Sequence, residues 1–412
     1  MNMKAKKICF KNIGQLVQVQ DTDPPRLKVY RNCALVVSGG RVEKVFRDTG
    51  IRASDYARVV DLKGRAVIPG FIDPHTHMVY GGDRKAEMEM RAAGDDYLEI
   101  LKNGGGILST VNATRKASEE MLYRSARERM KRMIALGTTA FEIKSGYGLD
   151  LETEKKILRV GRRLAADLKV HVTLTYLGAH AVPEGVKKKD YFDFVLRYLP
   201  EFRELADGVD IFCERGAFTV ADLKRLFLQA KLLGFQLRAH VEEFTLQGGC
   251  YEAARLGAIS CDHLEHARPH DIRGMAVAGT VGVLLPGVTH FLGGSKLPLV
   301  HTLLDSGVPL ALATDCNPGS CPTYNMQTIL TLATAMYRLT PEQALVAATY
   351  GGARALDRHR EMGGLRPGQR ADFLLLKTSD YRDLFYYFGE NFVDKTFLAG
   401  SAVSGRKEPV TD

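Results

Sequence analysis

At 412 residues the chain can bury a large core, and 45% apolar with 25% charged residues is the make-up of an ordinary globular protein rather than a disordered or fibrous one. No apolar run approaches the roughly 20 residues of a membrane helix, and the basic start MNMKAKKICFKNIGQLVQVQ has no continuous apolar segment or small-residue cleavage site, so a cytoplasmic protein is expected. The net charge of +9 is dispersed (Lys187-Lys188-Lys189 is short, and Arg124, Arg127, Arg129, Lys131 and Arg132 are interleaved with Glu128), which argues against a nucleic-acid partner and for a solvated basic surface or a field that attracts an anionic substrate.

In chain order, residues 1–65 contain strand-like runs, 34–37 and 41–46, on either side of the turn Ser38-Gly39-Gly40. From 66 to about 340, short apolar strands alternate with longer amphipathic stretches. Eight strands are predicted: 66–73, 138–144 (TTAFEIK), 170–177 (VHVTLTYL), 208–213 (GVDIFC), 235–240 (FQLRAH), 258–263 (AISCDH), 280–285 (TVGVLL) and 308–315 (VPLALATD). The helix before the second should begin near Ser118, and helical patterns end in glycine before 138 and 235. Such alternation implies parallel strands joined by crossover helices, and eight units imply a closed (β/α)8 barrel with its site at the C-terminal strand ends. An open doubly wound sheet is the alternative, although no G-x-G-x-x-G follows an early strand. The run 371–377 (ADFLLLK) follows a Gly/Pro turn at 364–368. Residues 1–65 and 364–412 are therefore expected to form a composite β-sandwich domain beside a barrel spanning 66–363.

The stretch PGFIDPHTHMVYGGDR (69–84) places His75 and His77 one residue apart after an apolar run. Residues i and i+2 of an extended strand share a side, so two imidazoles aim at one spot. The fifth predicted strand ends at His240, the sixth at His263 and the eighth at Asp315. Four strands thus carry metal-type ligands to one mouth of one barrel. Histidines with a carboxylate suit zinc or iron with a position left for water, whose pKa such an ion lowers. The seven cysteines are scattered without a C-x-x-C pair, which argues for reduced thiols and against a zinc knuckle. Glu243, three residues after His240, can serve as base, with Glu242 as a competitor; His263 is a further ligand or a polariser of a substrate carbonyl.

This pattern resembles the amidohydrolase superfamily. Many of its members bridge two metals with a carboxylated lysine on the fourth strand; here that strand ends Phe212-Cys213-Glu214 and Lys144 lies on the second, which implies a single divalent or ferric ion, zinc or iron. Within the superfamily the chain is similar to the imidazolonepropionase family through PGFIDPHTHMVYGGDR, GGGILSTVNATR (104–115), EIKSGYGL (142–149), TYLGAHAVP (175–183), HVEEF (240–244), DHLEH (262–266) and ATDCNPGS (313–320). The resemblance implies hydrolysis of 4-imidazolone-5-propanoate to N-formimidoyl-L-glutamate. It implies metal ligands at His75, His77, His240 and Asp315, and substrate contacts at Arg84, Tyr147, His180, Glu243, Asn317, Gly319 and Ser320. It also implies Glu243, His263 and Asp315 as catalytic groups, a small anionic heterocycle as substrate, and a homodimer. Family members often carry threonine where Ser320 stands, which puts only loop packing in question. A purine or pyrimidine aminohydrolase and a catalytically silent scaffold are the competing readings.

Overall fold

The first sheet begins with a long meander whose side chains alternate between two apolar layers. The computed structural model describes residues 7–93 and 105–403, apart from the side chain of Arg91; Gly104 of the glycine-rich run lies outside them. Strand β1 (Lys7–Gln20) pairs antiparallel with β2 (Arg26–Ser38), and β2 with β3 (Arg41–Arg47). Gly39 and Gly40 both take positive φ, as the tight turn between β2 and β3 requires. β4 (Arg58–Asp61) and β5 (Ala66–Pro69) join β1 in parallel.

The second sheet runs in chain order through β6 (Phe71–Asp73), β7 (Thr138–Lys144), β8 (His171–Ala179), β9 (Gly208–Cys213), β10 (Gln236–Val241), β11 (Ser260–His263), β12 (Val281–Leu284) and β13 (Leu310–Leu312). From β8 to β13 each neighbouring pair is parallel. The ends meet: Thr76 bridges Cys316 in parallel, His77 N–H donates to Cys316 O (3.0 Å) and Asp315 N–H to His75 O (3.1 Å). The result is a (β/α)8 barrel, and its strands are buried on both faces, as apolar runs between helices should be. β14 (Phe373–Leu376), β15 (Val393–Leu398) and β16 (Ser401–Ala402) complete the first sheet, an auxiliary β-sandwich built from both ends of the chain.

The expected strand 66–73 is in fact two. β5 pairs with β1 and antiparallel with β14, whereas β6 pairs with β7. The change of sheet falls at Gly70, where a Cβ would lie 2.3 Å from Thr139 Oγ1, so a side chain cannot be housed. An unbroken apolar run cannot reveal a change of pairing partner. The second and fourth strands match their predicted limits, and the others differ at their ends by a few residues. Ser118 starts the helix Glu119–Ala135, its hydroxyl accepting from Met121 N–H.

The described parts of Met1–Pro74, Lys131–Ala140 and Asn325–Asp412 form one compact unit, and those of His75–Met130 and Phe141–Tyr324 another. In the first, Phe10, Leu35, Val37, Val67, Phe373 and Phe397 share a core, with the rings of Phe373 and Phe397 stacked at 4.4 Å; Cys9, Ala34 and Val36 face the opposite way, against Phe46 and Tyr56. No helix among the described residues is long and apolar enough to cross a membrane.

Candidate active site and metal centre

Every predicted metal ligand falls in the second unit and reaches one point at the C-terminal ends of the barrel strands. His75 and His77 follow β6, His240 lies in β10, His263 ends β11 and Asp315 follows β13; all five are buried. His77 Nε2 lies 3.3 Å from His75 Nε2 and 3.3 Å from His240 Nε2, and Asp315 Oδ1 lies 3.5 Å from both His75 Nε2 and His77 Nε2. A cation held tetrahedrally at about 2.0–2.1 Å spaces its ligands about 3.3–3.4 Å apart, so these donors fit one ion. Asp315 Oδ1 is buried with no hydrogen-bond partner, which suits a carboxylate oxygen meant for a cation. Burial, reinforced by neighbouring cationic groups, holds His75 and His77 well below the usual imidazole range, in the neutral state a ligand needs.

Three groups of donors lie close enough to hold an ion among the described residues: His75, His240 and His263; His75, His77 and Asp315; and Asp210, His240 and Asp262. The third already has a cation. Lys144 Nζ lies 2.6 Å from Asp210 Oδ2, 3.3 Å from Asp262 Oδ2 and 2.8 Å from Glu142 Oε2. Burial opposes the charge on Lys144, but the three carboxylates outweigh it and hold the ammonium above its ordinary range. Arg238 Nε approaches Glu142 Oε1 at 3.2 Å, and all of these side chains are buried. The layer supports the imidazoles: His75 Nδ1 is 2.7 Å from Asp262 Oδ2, and His240 Nδ1 is 3.0 Å from Asp210 Oδ2. An Nδ1–H directed to a carboxylate leaves the Nε2 lone pair for the metal. Sequence reasoning missed this layer. Its signal was present: Asp210, Arg238 and Asp262 are charged residues inside short strands of the barrel, and buried charges occur only when paired.

The two adjacent glutamates do different work. Glu242 takes φ +56° and accepts from the N–H groups of Gln247 (3.2 Å), Gly248 (2.7 Å), Gly249 (2.9 Å) and Cys250 (2.7 Å), so its carboxylate organises the following loop and helix start. Glu243 Oε2 instead lies 3.7 Å from His263 Nε2. Burial, then the charges of Glu265 and Asp315, push the Glu243 carboxyl well above the carboxylate range. Glu265, also missed, is raised to about 8 by burial and lies 3.3 Å from Thr289 Oγ1. His263, Leu264 and Asp315 join Glu242 at positive φ, a strain of about 1–3 kcal/mol each that gathers at the rim holding the chemistry.

The predicted substrate-side residues surround this point. Tyr147 is buried, with ring centroids 5.7 Å from His77 and 5.5 Å from His180. His180 stacks on His77 at 5.2 Å, and its Nδ1 lies 3.0 Å from Gly146 O, leaving Nε2 for another partner. The loop carrying Tyr147 is held by Glu154, which accepts from the N–H groups of Gly146, Gly148 and Leu149. Arg84 is bound two-pronged by Glu87, Nε to Oε1 at 2.7 Å and Nη2 to Oε2 at 2.6 Å, and Glu87 also accepts from Gly106 N–H. The guanidinium lies flat against Gly319: a Cβ there would sit 1.9 Å from Nη1. Asn317 turns its amide into its own loop, donating to Asp315 O and Ser320 Oγ and accepting from Gly319 and Ser320 N–H. Ser320 Oγ lies 3.5 Å from Asp315 Oδ2.

The amidohydrolase family pattern matches residues 66–403. Imidazolonepropionase of Bacillus mycoides (strain KBAB4) is 40% identical over 408 residues, covering 96% of each chain, and that of Bacillus anthracis (strain A0248) is equally similar. Among solved structures, Escherichia coli guanine deaminase superposes with a TM-score of 0.72 at 15% identity, covering 97% of this chain and 99% of that one. An adenosine deaminase from Xanthomonas campestris with bound zinc gives 0.70 at 19% identity, covering 98% and 94%. These two likenesses speak for the shared fold; the near-full-length identity is narrower, and with it the chain belongs to the amidohydrolase family, among the imidazolonepropionases.

Proposed function

We infer that the protein is a metal-dependent hydrolase that opens the cyclic amide of 4-imidazolone-5-propanoate to give N-formimidoyl-L-glutamate, a step of histidine degradation. The near-full-length likeness to imidazolonepropionases carries this reading, and the convergence of donors at tetrahedral spacing supports it. One divalent ion serves each chain; His75, His77, His240 and Asp315 Oδ1 would hold it. When bound, the ion supplies a Lewis acid that brings the pKa of water towards neutrality.

The chain's own groups supply the rest. Glu243 Oε2 takes the proton from the attacking water and returns it to the ring nitrogen as the C–N bond breaks, a shuttle suited to a carboxyl whose proton affinity burial has raised. His263 Nε2–H, near Glu243, donates to the oxygen of the carbonyl as negative charge collects there. Asp315 Oδ2, beside Ser320 Oγ, is the second candidate proton acceptor. Arg84 offers its guanidinium to the propionate, with the Asn317–Ser320 loop shaping that end through Gly319. Tyr147 and His180 Nε2 border the heterocycle beside His77.

The reading extends to a cytoplasmic homodimer, the first part supported by seven cysteines that are all buried and in no disulfide. Incubating metal-loaded protein with fresh imidazolone propionate tests the activity. Loss of the ultraviolet absorbance without ammonia release is expected; ammonia release from a purine or pyrimidine, with the imidazolone unchanged, would overturn the reading.

A further inference from the structure

Beneath the imidazoles lies a closed group of charges that the reaction does not use. Lys144 has three N–H donors, and three buried carboxylates stand at 2.6, 2.8 and 3.3 Å from its nitrogen. Two of them are shared: the Asp210 and Asp262 oxygens that contact Lys144 are the same Oδ2 atoms that face His240 Nδ1 and His75 Nδ1. The third, Glu142, is tied to the barrel wall by Arg238 and by the Thr175 hydroxyl at 2.5 Å. Through its backbone Lys144 also reaches the paired-histidine segment, donating its N–H to Thr76 O at 2.9 Å, while Thr76 Oγ1 donates to Glu142 O at 2.6 Å.

We propose that Lys144 is a positioning residue of the metal centre: by clamping Asp210 and Asp262 against Glu142 it fixes the rings of two ligands on different strands, His75 and His240, so that their Nε2 lone pairs meet. A carboxylate with one oxygen on an ammonium cannot rotate away from the imidazole it serves. An imidazole so held keeps one tautomer and one orientation. Lys144 is thus a point where the supports of both rings join. The inference rests on the ligand assignment given above and deepens it.

Two variants test it, Lys144→Met and Lys144→Met/Glu142→Gln. The second removes one cation and one anion, keeping the net charge of the layer should the first fail to fold. The readouts are the metal dissociation constant by chelator competition, the visible spectrum of the cobalt-substituted protein, and kcat and KM separately. Each folded variant is expected to bind metal about 10–100-fold more weakly, with altered cobalt bands and a lower kcat but unchanged KM. Wild-type metal affinity and cobalt spectrum in the folded double variant would overturn the proposal, reducing Lys144 to a charge balancer, and would leave the ligand assignment standing. A wild-type chain that binds no metal would overturn the assignment itself, and this inference with it.

Discussion

Replacing Gly319 with alanine should damage grip on the substrate's acid tail without touching the metal. The new methyl would lie 1.9 Å from Arg84 Nη1, 2.5 Å from Cζ and 3.1 Å from Nη2. Contact between such atoms normally begins near 3.5 Å, so the guanidinium must retreat by roughly 1.5 Å. The backbone gives no relief: Gly319 is outside the left-handed region, so alanine is not strained there, and its N–H is fixed on Asn317 Oδ1 at 2.8 Å. Nor can the arginine swing freely, because its side chain is only 13% exposed and Glu87 holds it at 2.7 and 2.6 Å. A hydrogen-bonded contact to a charged group contributes about 1.5–3 kcal/mol, so displacing the fork from a carboxylate should lower kcat/KM by about 10- to 150-fold, mostly through KM. The assay compares imidazolone propionate with an imidazolone lacking the propionate. The loss should appear with the first and vanish with the second. Wild-type kcat/KM in Gly319→Ala, or equal losses on both compounds, would refute the reasoning that Arg84 meets the tail where Gly319 lets it lie.

The adjacent glutamates should separate cleanly. Glu243→Gln is expected to lower kcat by about 10²–10⁴-fold with metal content intact, checked by kinetics and elemental analysis. Glu242→Gln should instead cost about 1.5–3 kcal/mol of stability, seen as a lower melting temperature in calorimetry, with turnover by the folded fraction retained, because its carboxylate serves four backbone donors. Chelation of the metal should abolish turnover and lower the melting temperature, and zinc or ferrous iron should restore both. Because protons compete for the Nε2 lone pairs of His75 and His77, which burial keeps neutral well below the usual imidazole range, the ion should be retained through that range and released only at lower pH, which dialysis across a pH series followed by elemental analysis would show.

The histidines were legible because each lies at or just past the C-terminal end of a strand, a place that periodicity can count. His75, His77, His240 and Asp315 could therefore be assigned to one rim before any distance was known, and the structure brings them together. Glu243 was preferred over Glu242 by its spacing from His240 and by the family resemblance, but what Glu242 does instead was hidden; its positive φ and its hold on the following loop are not displayed by sequence. The double role of 66–73 stayed hidden for a related reason. Val67 and Phe71 are equally apolar and equally buried, and what distinguishes them is which strand lies alongside. That the Arg84–Glu87 pair leans on Gly319, more than two hundred residues later, is a fact of closure alone.

Charge explains why this centre suits one divalent ion. Glu142, Asp210, Asp262 and Asp315 bring four negative charges into a buried region when ionised, and Lys144 with Arg238 returns two positive, leaving two to be matched. Glu243 stands outside that count because its charge comes and goes with the proton it carries. A single M²⁺ matches those two charges, and a second would exceed them. Lys144 reinforces the limit from within, since its ammonium already sits among Asp210, Asp262 and Glu142, against the carboxylates of one of the donor groups. The lysine on the second strand thus does the opposite of a bridging ligand: it contributes a fixed positive charge below the imidazoles, and the barrel needs only one more cation above them.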